Sequence, residues 1–545
     1  MFQSKHMTCS VIVLMISSPR AHAQMNTTDS TSLCTPHLVQ RGDTCSTIAQ
    51  KFGVELGSLE TYNKDTWGWR GCSGLQAGDQ ICVSAGSAGL PPPVDGALCG
   101  PTVPGTKLSI GQNISALNPC PLKACCSAYG YCGTTAEFCT PSITANSSKA
   151  GCISNCGTDI ISASETVTNP SRIAYFQAYN ENRPCLHMQV TNIDKTRYTH
   201  VHYSFAALTR DDFRVDTSLV NSQLRALIDL RGIKRIITLG GWTFSTAPDT
   251  YMIFRDMVRP ENRDTAVSNI AAFVLNNDLD GVDIDWEYPG APDIPGIPAG
   301  RPDEGDNFVE FLSLLKGKLV GKSLSIALPA SYWYLKNVPV ERLIRHVDYV
   351  VYMTYDYHGL WEYGNPHAQS GCPSGNCLRS HVNLTETFDS LSMLTKAGVE
   401  SHKIVVGVSS YGRGFRMSSP KCTDASCTWD IAGEQLRGEC TAENGILAAA
   451  EIDSLLAGST TRFHDGPSDS AIAIVNGTWW VAYLDKDTIS RRSEQYARMH
   501  FGGTADWSVD LQSPTTGLQK YNTSAGNLTL AQFAVPRSCS KRYAD

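Results

Sequence analysis

From residue 172 onward, short apolar runs alternate with stretches of helical spacing. The apolar runs cover residues 173–178, 201–207, 235–242, 281–288, 324–330, 347–357, 404–411 and 504–509. Eight strands that alternate with helices predict an α/β fold of the (β/α)8 (TIM) barrel type. The segment between the last two runs is too long for a single crossover, so we expect an inserted α+β lobe near residues 413–480.

The N-terminal part of the chain has a different pattern. Apolar positions predict a strand at 38–40, helical turns at 46–52 and 56–59, and a closing strand at 78–83, which makes a small βααβ module over residues 24–84. A Gly, Ser and Pro stretch at 85–97 predicts a semi-rigid linker. A second linker, rich in Ser and Thr, is expected at 158–170. A second module at 98–157 and a large domain at 171–537 follow from these boundaries, with a tail at 538–545.

The first residues are typical of a secretory signal. Lys5 precedes an apolar run at 11–16, and Ala21 and Ala23 supply the small residues that a signal peptidase accepts. A membrane anchor is the alternative, but the apolar run is far shorter than the ~20 residues that span a bilayer. We therefore expect residues 1–23 to be removed and the chain to be secreted without a membrane span, to the extracellular space or the cell wall.

Composition narrows the class of protein. The chain has 45 Lys+Arg against 52 Asp+Glu and no basic block, which argues against nucleic acid as a partner. Of its 20 cysteines, twelve lie between Cys34 and Cys156. Such density indicates small domains held by disulfides in an oxidising compartment. Seven Asn-x-Ser/Thr sequons could carry glycans in a eukaryotic secretory pathway: Asn26, Asn113, Asn146, Asn383, Asn476, Asn522 and Asn527.

Three acids stand on the fourth predicted barrel strand. The period of two sends Asp283, Asp285 and Glu287 to one face and Val282, Ile284 and Trp286 to the other. The apolar face suits packing under helices, so the acids should point into the barrel, where crowding raises at least one pKa towards that of a general acid. The alternative, three solvated acids on an edge strand, conflicts with the alternation.

The first module resembles LysM, a family that binds N-acetylglucosamine chains. The resemblance rests on Val39, Gly42-Asp43-Thr44, Ile48-Ala49, Leu59, Asn63 and Leu75-x-x-Gly78-Asp79-x-Ile81. It implies sugar contacts from Gly42, Asp43, Thr44 and Asn63. For the Gly42-Asp43 turn, a plain turn with a helix cap is an equally open alternative.

The second module resembles the hevein-type chitin-binding domain. Its eight cysteines allow 105 pairings by arithmetic alone, but the run from Cys120 to Cys139 matches that family. The resemblance implies the disulfides Cys99–Cys126, Cys120–Cys132, Cys125–Cys139 and Cys152–Cys156. It also implies that Tyr129, Tyr131 and Phe138 stack on sugar rings while Ser127 bonds an acetamido group. Phe138 stands where that family often has Tyr, which should weaken binding modestly.

The large domain resembles the family eighteen glycoside hydrolases, the chitinases. The resemblance rests on the strand-four acids, Thr238-Leu239-Gly240-Gly241-Trp242 and Met353-Thr354-Tyr355-Asp356. It implies Glu287 as acid and base, Asp285 orienting the substrate's acetamido group, Asp283 tuning Asp285, and Tyr355 bonding the acetamido oxygen. The further substrate contacts that it implies are Asp356, Met353, Trp507, Trp242, Tyr175 and Trp361.

Together the three resemblances imply a secreted chitinase with two chitin-binding modules, acting on chitin and chitooligosaccharides by a retaining, substrate-assisted mechanism. We expect no cofactor and no metal, because His200 and His202 have no partner acid at suitable spacing. Two alternatives are a chitin-binding lectin on an inactive barrel and a chitin-binding subunit of a killer-toxin-like complex with a second subunit. Among the later cysteines, Cys372–Cys377 and one pair among Cys422, Cys427 and Cys440 are expected. Cys185 and Cys539 stay unassigned.

Overall fold

The computed structural model of the chain describes residues 33–109, 112–141, 151–164, 167–458 and 460–512. The predicted signal at 1–23, the tail at 538–545, residues 513–537 of the predicted barrel domain, and Cys539 lie outside the described residues. Contacts divide the chain into two compact units. One holds the described residues up to Pro92, and the other holds nearly all those from Pro93 on.

The first unit is the predicted βααβ module. Its elements are β1 (Pro36–Leu38), α1 (Cys45–Phe52), α2 (Leu56–Asn63) and β2 (Gln80–Cys82). The two strands pair antiparallel, and both helices bury apolar side chains against them, with Ile48 and Leu59 fully buried. The disulfides Cys34–Cys82 and Cys45–Cys72 close this small core and add to the stability that a core of this size can supply.

The second unit begins with the cysteine-rich region. Its strands are β3 (Cys125–Ser127), β4 (Cys132–Gly133) and β5 (Cys152–Ser154), with β3 in the middle, and α3 (Ala136–Cys139) lies between the last two. The structure forms the four disulfides that the hevein resemblance implies: Cys99–Cys126, Cys120–Cys132, Cys125–Cys139 and Cys152–Cys156.

A closed parallel barrel follows, as predicted. Its strands in chain order are β6 (Ser171–Gln177), β7 (His200–Leu208), β9 (Lys234–Gly240), β10 (Gly281–Asp285), β11 (Ser323–Pro329), β12 (Tyr349–Met353) and β13 (Ile404–Ser409), with β8 (Val215–Asp216) paired antiparallel to β7. The eighth barrel strand comes after the insertion described below. The helices over this stretch are α4 (Leu224–Asp229), α5 (Trp242–Thr246), α6 (Met252–Met257), α7 (Pro260–Asn276), α8 (Glu304–Lys318), α9 (Tyr332–Leu335), α10 (Val340–Leu343) and α11 (Leu384–Lys396).

The predicted insertion is an α+β lobe that follows β13. Its strands are β14 (Tyr411–Arg416), β15 (Ile446–Ala448), β16 (Thr461–Asp465), β17 (Ser470–Val475) and β18 (Trp479–Tyr483), and they form one antiparallel sheet with α12 (Ala449–Leu456). Helix α13 (Lys486–Arg498) then leads to β19 (Gly503–Trp507), which lies between β13 and β6 and closes the barrel. The lobe thus begins where a barrel strand ends.

Short 3₁₀ turns complete the chain at Cys72–Gly74, Ile114–Ala116, Pro121–Lys123, Asn180–Asn182, Val190–Asn192, Asn221–Gln223, Leu360–Glu362, Ser401–Lys403 and Val509–Leu511. Within the described ranges, no helix combines the length and the apolar character that crossing a membrane requires.

The cysteine-rich region packs against the barrel through α11. Lys396 at the end of that helix donates to the carbonyl oxygens of Asn155 and Gly157, at 2.5 and 2.9 Å, while Leu122 packs on the main barrel core. The described part of the predicted 158–170 linker also lies against the barrel, where the backbone N–H of Ile161 donates to Thr395 Oγ1. The region and the barrel therefore form one compact unit.

Three further disulfides tie the barrel domain. Cys372–Cys377 is confirmed, and Cys422–Cys427 is the predicted pair among three cysteines. The third, Cys185–Cys440, joins the loop after β6 to the insertion over a separation of 255 residues. Pairing over such a distance depends on the tertiary structure, which explains why the sequence left it unassigned.

Candidate active site

The three predicted acids lie at the carboxyl end of β10, where active sites of (β/α)8 barrels are found. Val282, Ile284 and Trp286 are buried in the layer between strands and helices, as the alternation predicts, so Asp283 and Asp285 face the barrel interior. The Gly240-Gly241 pair at the end of β9 allows the backbone at the end of β10 to lie close to it. A Cβ on Gly240 would lie 2.2 Å from the Asp285 carbonyl oxygen, so only glycine fits there.

Asp283 is buried and fully partnered. Its Oδ1 accepts from Ser325 Oγ at 2.7 Å and its Oδ2 accepts from the Tyr175 hydroxyl at 2.8 Å. His202 Nδ1 lies 3.2 Å from the same Oδ2. Burial alone would raise the pKa of Asp283, but His202, Ser325 and Tyr175 together hold that pKa below its ordinary value. Asp283 is therefore an anion at neutral pH.

Asp285 has the opposite environment. The residue is 4% exposed, and its Oδ1 has no hydrogen-bond partner among the described residues. Burial raises its pKa well above the ordinary value, and the charges of Glu287 and Asp283 raise it further. The carboxyl group of Asp285 thus favours its protonated form and leaves an oxygen atom free for a ligand.

Glu287 lies two residues beyond the end of β10. Its backbone N–H donates to Ser245 Oγ at 3.0 Å, which fixes the chain at this point. Burial raises the pKa of its side chain to about 7; a hydrogen bond with Tyr288 opposes that rise and the charge of Asp356 adds to it. A carboxyl group that holds its proton near neutral pH is suited to general acid catalysis.

Tyr355 and Asp356 follow β12, and side chains of β14 at the start of the insertion contact Asp356. Asp356 has a left-handed backbone with φ of 59°, and its carboxylate accepts from Arg413 Nε at 2.7 Å and from the Tyr411 hydroxyl. Burial opposes ionisation of Asp356, but Arg413 and His381 outweigh it and hold its pKa well below the usual range. Burial and the nearby carboxylates raise the pKa of Tyr355, so its hydroxyl keeps its proton.

The predicted aromatic contacts divide into two groups. Trp242 and Trp361 are exposed, at 46% and 56%, and Trp507 is partly exposed with its ring 5.6 Å from that of Tyr175. Met353, the last residue of β12, is also partly exposed. Tyr175 is 3% exposed, with its hydroxyl donating to Asp283, and its contact with substrate stays a prediction.

In the cysteine-rich region, the predicted sugar contacts differ in exposure. Tyr129 and Tyr131 are 63% and 44% exposed, which leaves their rings open to solvent. Ser127 is 7% exposed, and its Oγ accepts from the Tyr131 backbone N–H at 3.2 Å. Phe138 packs on a cluster of three disulfide-bonded cysteines, so only part of its ring is accessible.

In the first unit, the predicted contacts are used largely by the fold. Gly42 has φ of 94°, Asp43 accepts from the Gln40 N–H at 2.8 Å, and Thr44 forms a capping box at the start of α1. Asn63 is a correction, because it is 0% exposed and its amide bonds the backbone of Cys82 in both directions at 2.7 Å. That amide has no surface left for a sugar.

Sequence reasoning missed several site residues. The sequence shows no partner acid for His202 at suitable spacing, yet its Nδ1 lies 3.2 Å from Asp283 Oδ2. Ser325 on β11 contacts Asp283. Asp356 is contacted by three side chains from other parts of the chain: His381, Tyr411 and Arg413. The alternation of β11 could have flagged Ser325 as an inward polar residue, but nothing in the sequence near Arg413 pairs it with Asp356.

Among the described residues, one group of side chains has the spacing of metal ligands. It consists of Cys99, Cys120 and Cys132. All three cysteines are in disulfides, so their sulfur atoms are not free to bind a metal.

Known proteins match all three parts of the chain. The model of Glycosyl hydrolases family 18 matches residues 171–512, that of Chitin recognition protein matches 110–156, and that of the LysM domain matches 37–84. The chain is 43% identical over 522 residues to "Secreted chitinase LysM12" of Penicillium expansum, covering 93% of this chain and 34% of the relative. It is 41% identical over 493 residues to "Killer toxin subunits alpha/beta" of Kluyveromyces lactis, covering 88% and 40%. The chain thus spans well under half the length of these two relatives.

Solved structures share the barrel. Catalytic domain 2 of the Ostrinia furnacalis Group II chitinase superposes with a TM-score of 0.53 at 25% identity, over 63% of this chain and 90% of that one. The Group IV chitinase of the same insect, in complex with allosamidin, has a TM-score of 0.54 at 24% identity, over 63% and 93%, which speaks for the fold alone. Since the family 18 match covers more than half of the chain and includes the strand of three acids, the chain belongs to the glycosyl hydrolases of family 18.

Proposed function

We propose that the chain is a secreted, retaining chitinase that hydrolyses β-1,4 bonds between N-acetylglucosamine units. The observation that carries the proposal is the placement of the acids at the carboxyl end of β10, where Asp283 accepts from Ser325 and Tyr175 while Asp285 Oδ1 has no partner among the described residues. Asp283 is held as an anion, Asp285 favours its proton, and the pKa of Glu287 is raised to about 7. A proton donor with a raised pKa suits glycosidic cleavage in which the substrate's own 2-acetamido group, and not an enzyme carboxylate, is the nucleophile.

In the proposed reaction, Glu287 gives its proton to the glycosidic oxygen as the bond to the anomeric carbon breaks. The oxygen of the substrate's own 2-acetamido group attacks that carbon and forms an oxazolinium intermediate. The Glu287 carboxylate then takes a proton from water, which attacks the same carbon from the face that the leaving group vacated. Two inversions give net retention.

The neighbouring residues orient this chemistry. Asp285 positions and stabilises the acetamido group, and Asp283 sets the protonation of Asp285. The Tyr355 hydroxyl donates to the acetamido oxygen, while Asp356 holds the distorted sugar and Trp507 forms the floor beneath it. The exposed rings of Trp242 and Trp361 extend the sugar surface.

The two small modules bind chitin in this proposal. Tyr129 and Tyr131 stack on N-acetylglucosamine rings, with Ser127 and Phe138 as secondary contacts, and the LysM turn at Gly42, Asp43 and Thr44 adds a second site. Holding the enzyme on an insoluble polymer raises the local substrate concentration without any new catalytic contact. We place the protein outside the cell or at the cell wall.

A Glu287→Gln variant tests the assignment. It should release no chitooligosaccharides from oligomers of defined length, followed by chromatography over time, while still binding insoluble chitin. The matched control is Glu261→Gln, since Glu261 is 63% exposed and lies on α7 away from the acids. Undiminished hydrolysis by Glu287→Gln would overturn the proposal, and the wild-type product lengths would distinguish endo from exo action.

A second candidate role has one observation in its favour. The relative from Kluyveromyces lactis is described as killer toxin subunits alpha/beta, so the chain could act as the chitin-binding subunit of a toxin complex. Co-purification of a second chain with the secreted protein would support this role. Recovery of the protein alone, fully active on chitin, would favour the simple enzyme.

A further inference from the structure

A buried histidine lies directly behind the three acids. His202 on β7 is 0% exposed, and its two ring nitrogens face groups on two other barrel strands. Nδ1 lies 3.2 Å from Asp283 Oδ2 on β10, and Nε2 lies 2.9 Å from the Tyr349 hydroxyl on β12. The ring therefore bridges the barrel interior just below the reacting groups.

The side chains around Asp283 differ in the charge that they can carry. Ser325 and Tyr175 donate neutral hydrogen bonds to the carboxylate. Of the three side chains that contact it, His202 alone can carry a positive charge. A buried carboxylate without a counter-charge is costly and tends to take up a proton.

We propose that His202 is a positioning residue that holds Asp283 as an anion and thereby keeps the shared proton of the acid pair on Asp285. The proposal rests on the proposed chitinase function and deepens it. Asp283 needs its negative charge to favour the proton on Asp285, and Asp285 needs that proton to orient the acetamido group. His202 acts through Asp283 and does not touch substrate.

The surroundings of His202 support this role. The ring of Tyr175 lies 4.7 Å away and that of Tyr349 lies 6.0 Å away, and both tyrosine pKa values are raised by burial and by the Asp283 charge, so both stay neutral. His200 lies on the same face of β7. Burial lowers the pKa of His200 to about 3, and the nearby His202 contributes to this shift. His200 is therefore neutral, and Asp283 is the acid in contact with His202.

A loss of the imidazole has a defined consequence. Without it, Asp283 would take up a proton at higher pH, and the proton would no longer be held on Asp285. Activity at acidic pH requires anionic Asp283, so the acid limb of the pH–rate profile should move to higher pH. An opposite charge in contact shifts a carboxyl pKa by about one unit or more, so the limb should move by that amount.

The test compares His202→Phe with His200→Phe. Both replace a buried histidine on the same face of the same strand, but His200 contacts Thr199 and not Asp283. His202→Phe should move the acid limb of kcat upward by about one unit while KM and the melting temperature match those of His200→Phe. An acid limb that is identical in the two variants would overturn the proposal.

Two additional measurements keep the outcome decisive. If His202→Phe fails to fold because the Tyr349 hydroxyl loses its bond to the imidazole, His202→Gln supplies a neutral amide in its place. A wild-type profile for His202→Gln would show that no charge is needed, and the proposal would fail.

The second measurement is carbon-13 NMR of the aspartate carboxyl groups, with Asp283→Asn to assign the signal. This readout does not depend on activity. Asp283 should titrate at higher pH in His202→Phe than in the wild type, whereas equal titration would overturn the proposal. A wild type with the expected titration but no hydrolysis of chitin would instead overturn the proposed function.

Discussion

The LysM unit and the acid strand of the barrel use their predicted polar site residues in opposite ways. Asn63 satisfies its amide inside the fold, with bonds to the backbone of Cys82 and Leu59 at 2.7 to 2.8 Å. Asp285 is equally buried, yet its Oδ1 has no partner among the described residues. A satisfied buried polar group stabilises a fold, whereas an unsatisfied one costs stability and is retained where a ligand needs it. Burial by itself therefore does not separate structural from functional residues.

An Asp285→Asn variant should have a large effect on activity and little on stability. Chitin oligomer hydrolysis should fall by roughly 100-fold or more, because the carboxyl group that positions the substrate's acetamido group is lost. The melting temperature should hold, since Oδ1 loses no hydrogen bond. Asp506→Asn is the control for a partnered buried acid, since Asp506 accepts from Tyr198 at 2.9 Å. Asp506→Asn should have a lower melting temperature than the wild type. An equal drop in melting temperature in the two variants would contradict the predicted difference between a partnered and an unpartnered buried acid.

Asn63→Ala should show the reverse pattern. It leaves the N–H and C=O of Cys82 buried without partners, which should destabilise the LysM unit by about 2–4 kcal/mol. Native-state hydrogen exchange across residues 33–84 would measure this, while hydrolysis of soluble oligomers should stay at the wild-type rate. Lys64→Ala, at a side chain that is 72% exposed, is the control. Weakened chitin binding with unchanged exchange would instead make Asn63 a sugar contact.

The pH dependence of kcat should report the proton of Glu287, the neighbour of Asp285 at the end of the acid strand. The pKa of Glu287 is raised to about 7, so its proton is present below that pH and is lost above it. The rate should then fall roughly tenfold per pH unit on the alkaline side. A substrate with a nitrophenolate leaving group needs little protonation and should show a flatter limb. Identical limbs for the two substrates would argue against Glu287 as the acid.

The exposed tyrosines extend the comparison to the cysteine-rich region, where predicted contacts are open to solvent. Tyr129→Ala should weaken binding to insoluble chitin by about 0.5–1.5 kcal/mol, which is a several-fold loss of affinity. Pull-down on chitin at several protein concentrations would measure it. Leu98→Ala removes an apolar side chain that is 66% exposed and should bind normally. Equal losses in the two variants would indicate a nonspecific surface effect.

Thr44 decides between the two interpretations of the LysM turn. Its side chain caps α1, so Thr44→Ala should cost about 1 kcal/mol of stability in that unit, whereas Thr44→Ser keeps the cap. Hydrogen exchange and chitin pull-down on both variants would compare the effects. Reduced binding by Thr44→Ala at unchanged exchange protection would favour a direct sugar contact.

Local patterns predicted most of the fold because they depend on near neighbours. The eight strands and the inward acids of β10 follow from periodicities of two and 3.6 residues, and the insertion follows from the length of the segment between the last two apolar runs. The shared inward face of Asp283 and Asp285 could be anticipated, because alternation along one strand sets which side chains crowd together. The partners His202, Ser325 and Arg413 could not be anticipated, since they come from other strands or from the insertion.

The sequence by itself determined the order of the modules, the barrel, the strand of three acids and the kind of chemistry those acids suit. The tertiary structure decided which polar groups are satisfied: Asn63 inside the LysM unit, Tyr175 and His202 on Asp283, and Arg413 on Asp356. It also decided that the cysteine-rich region packs on α11 and that Cys185 pairs with Cys440. The physical reason is that hydrogen bonds, ion pairs and disulfides between distant segments depend on where the folded chain brings them, and a linear pattern carries no such distances.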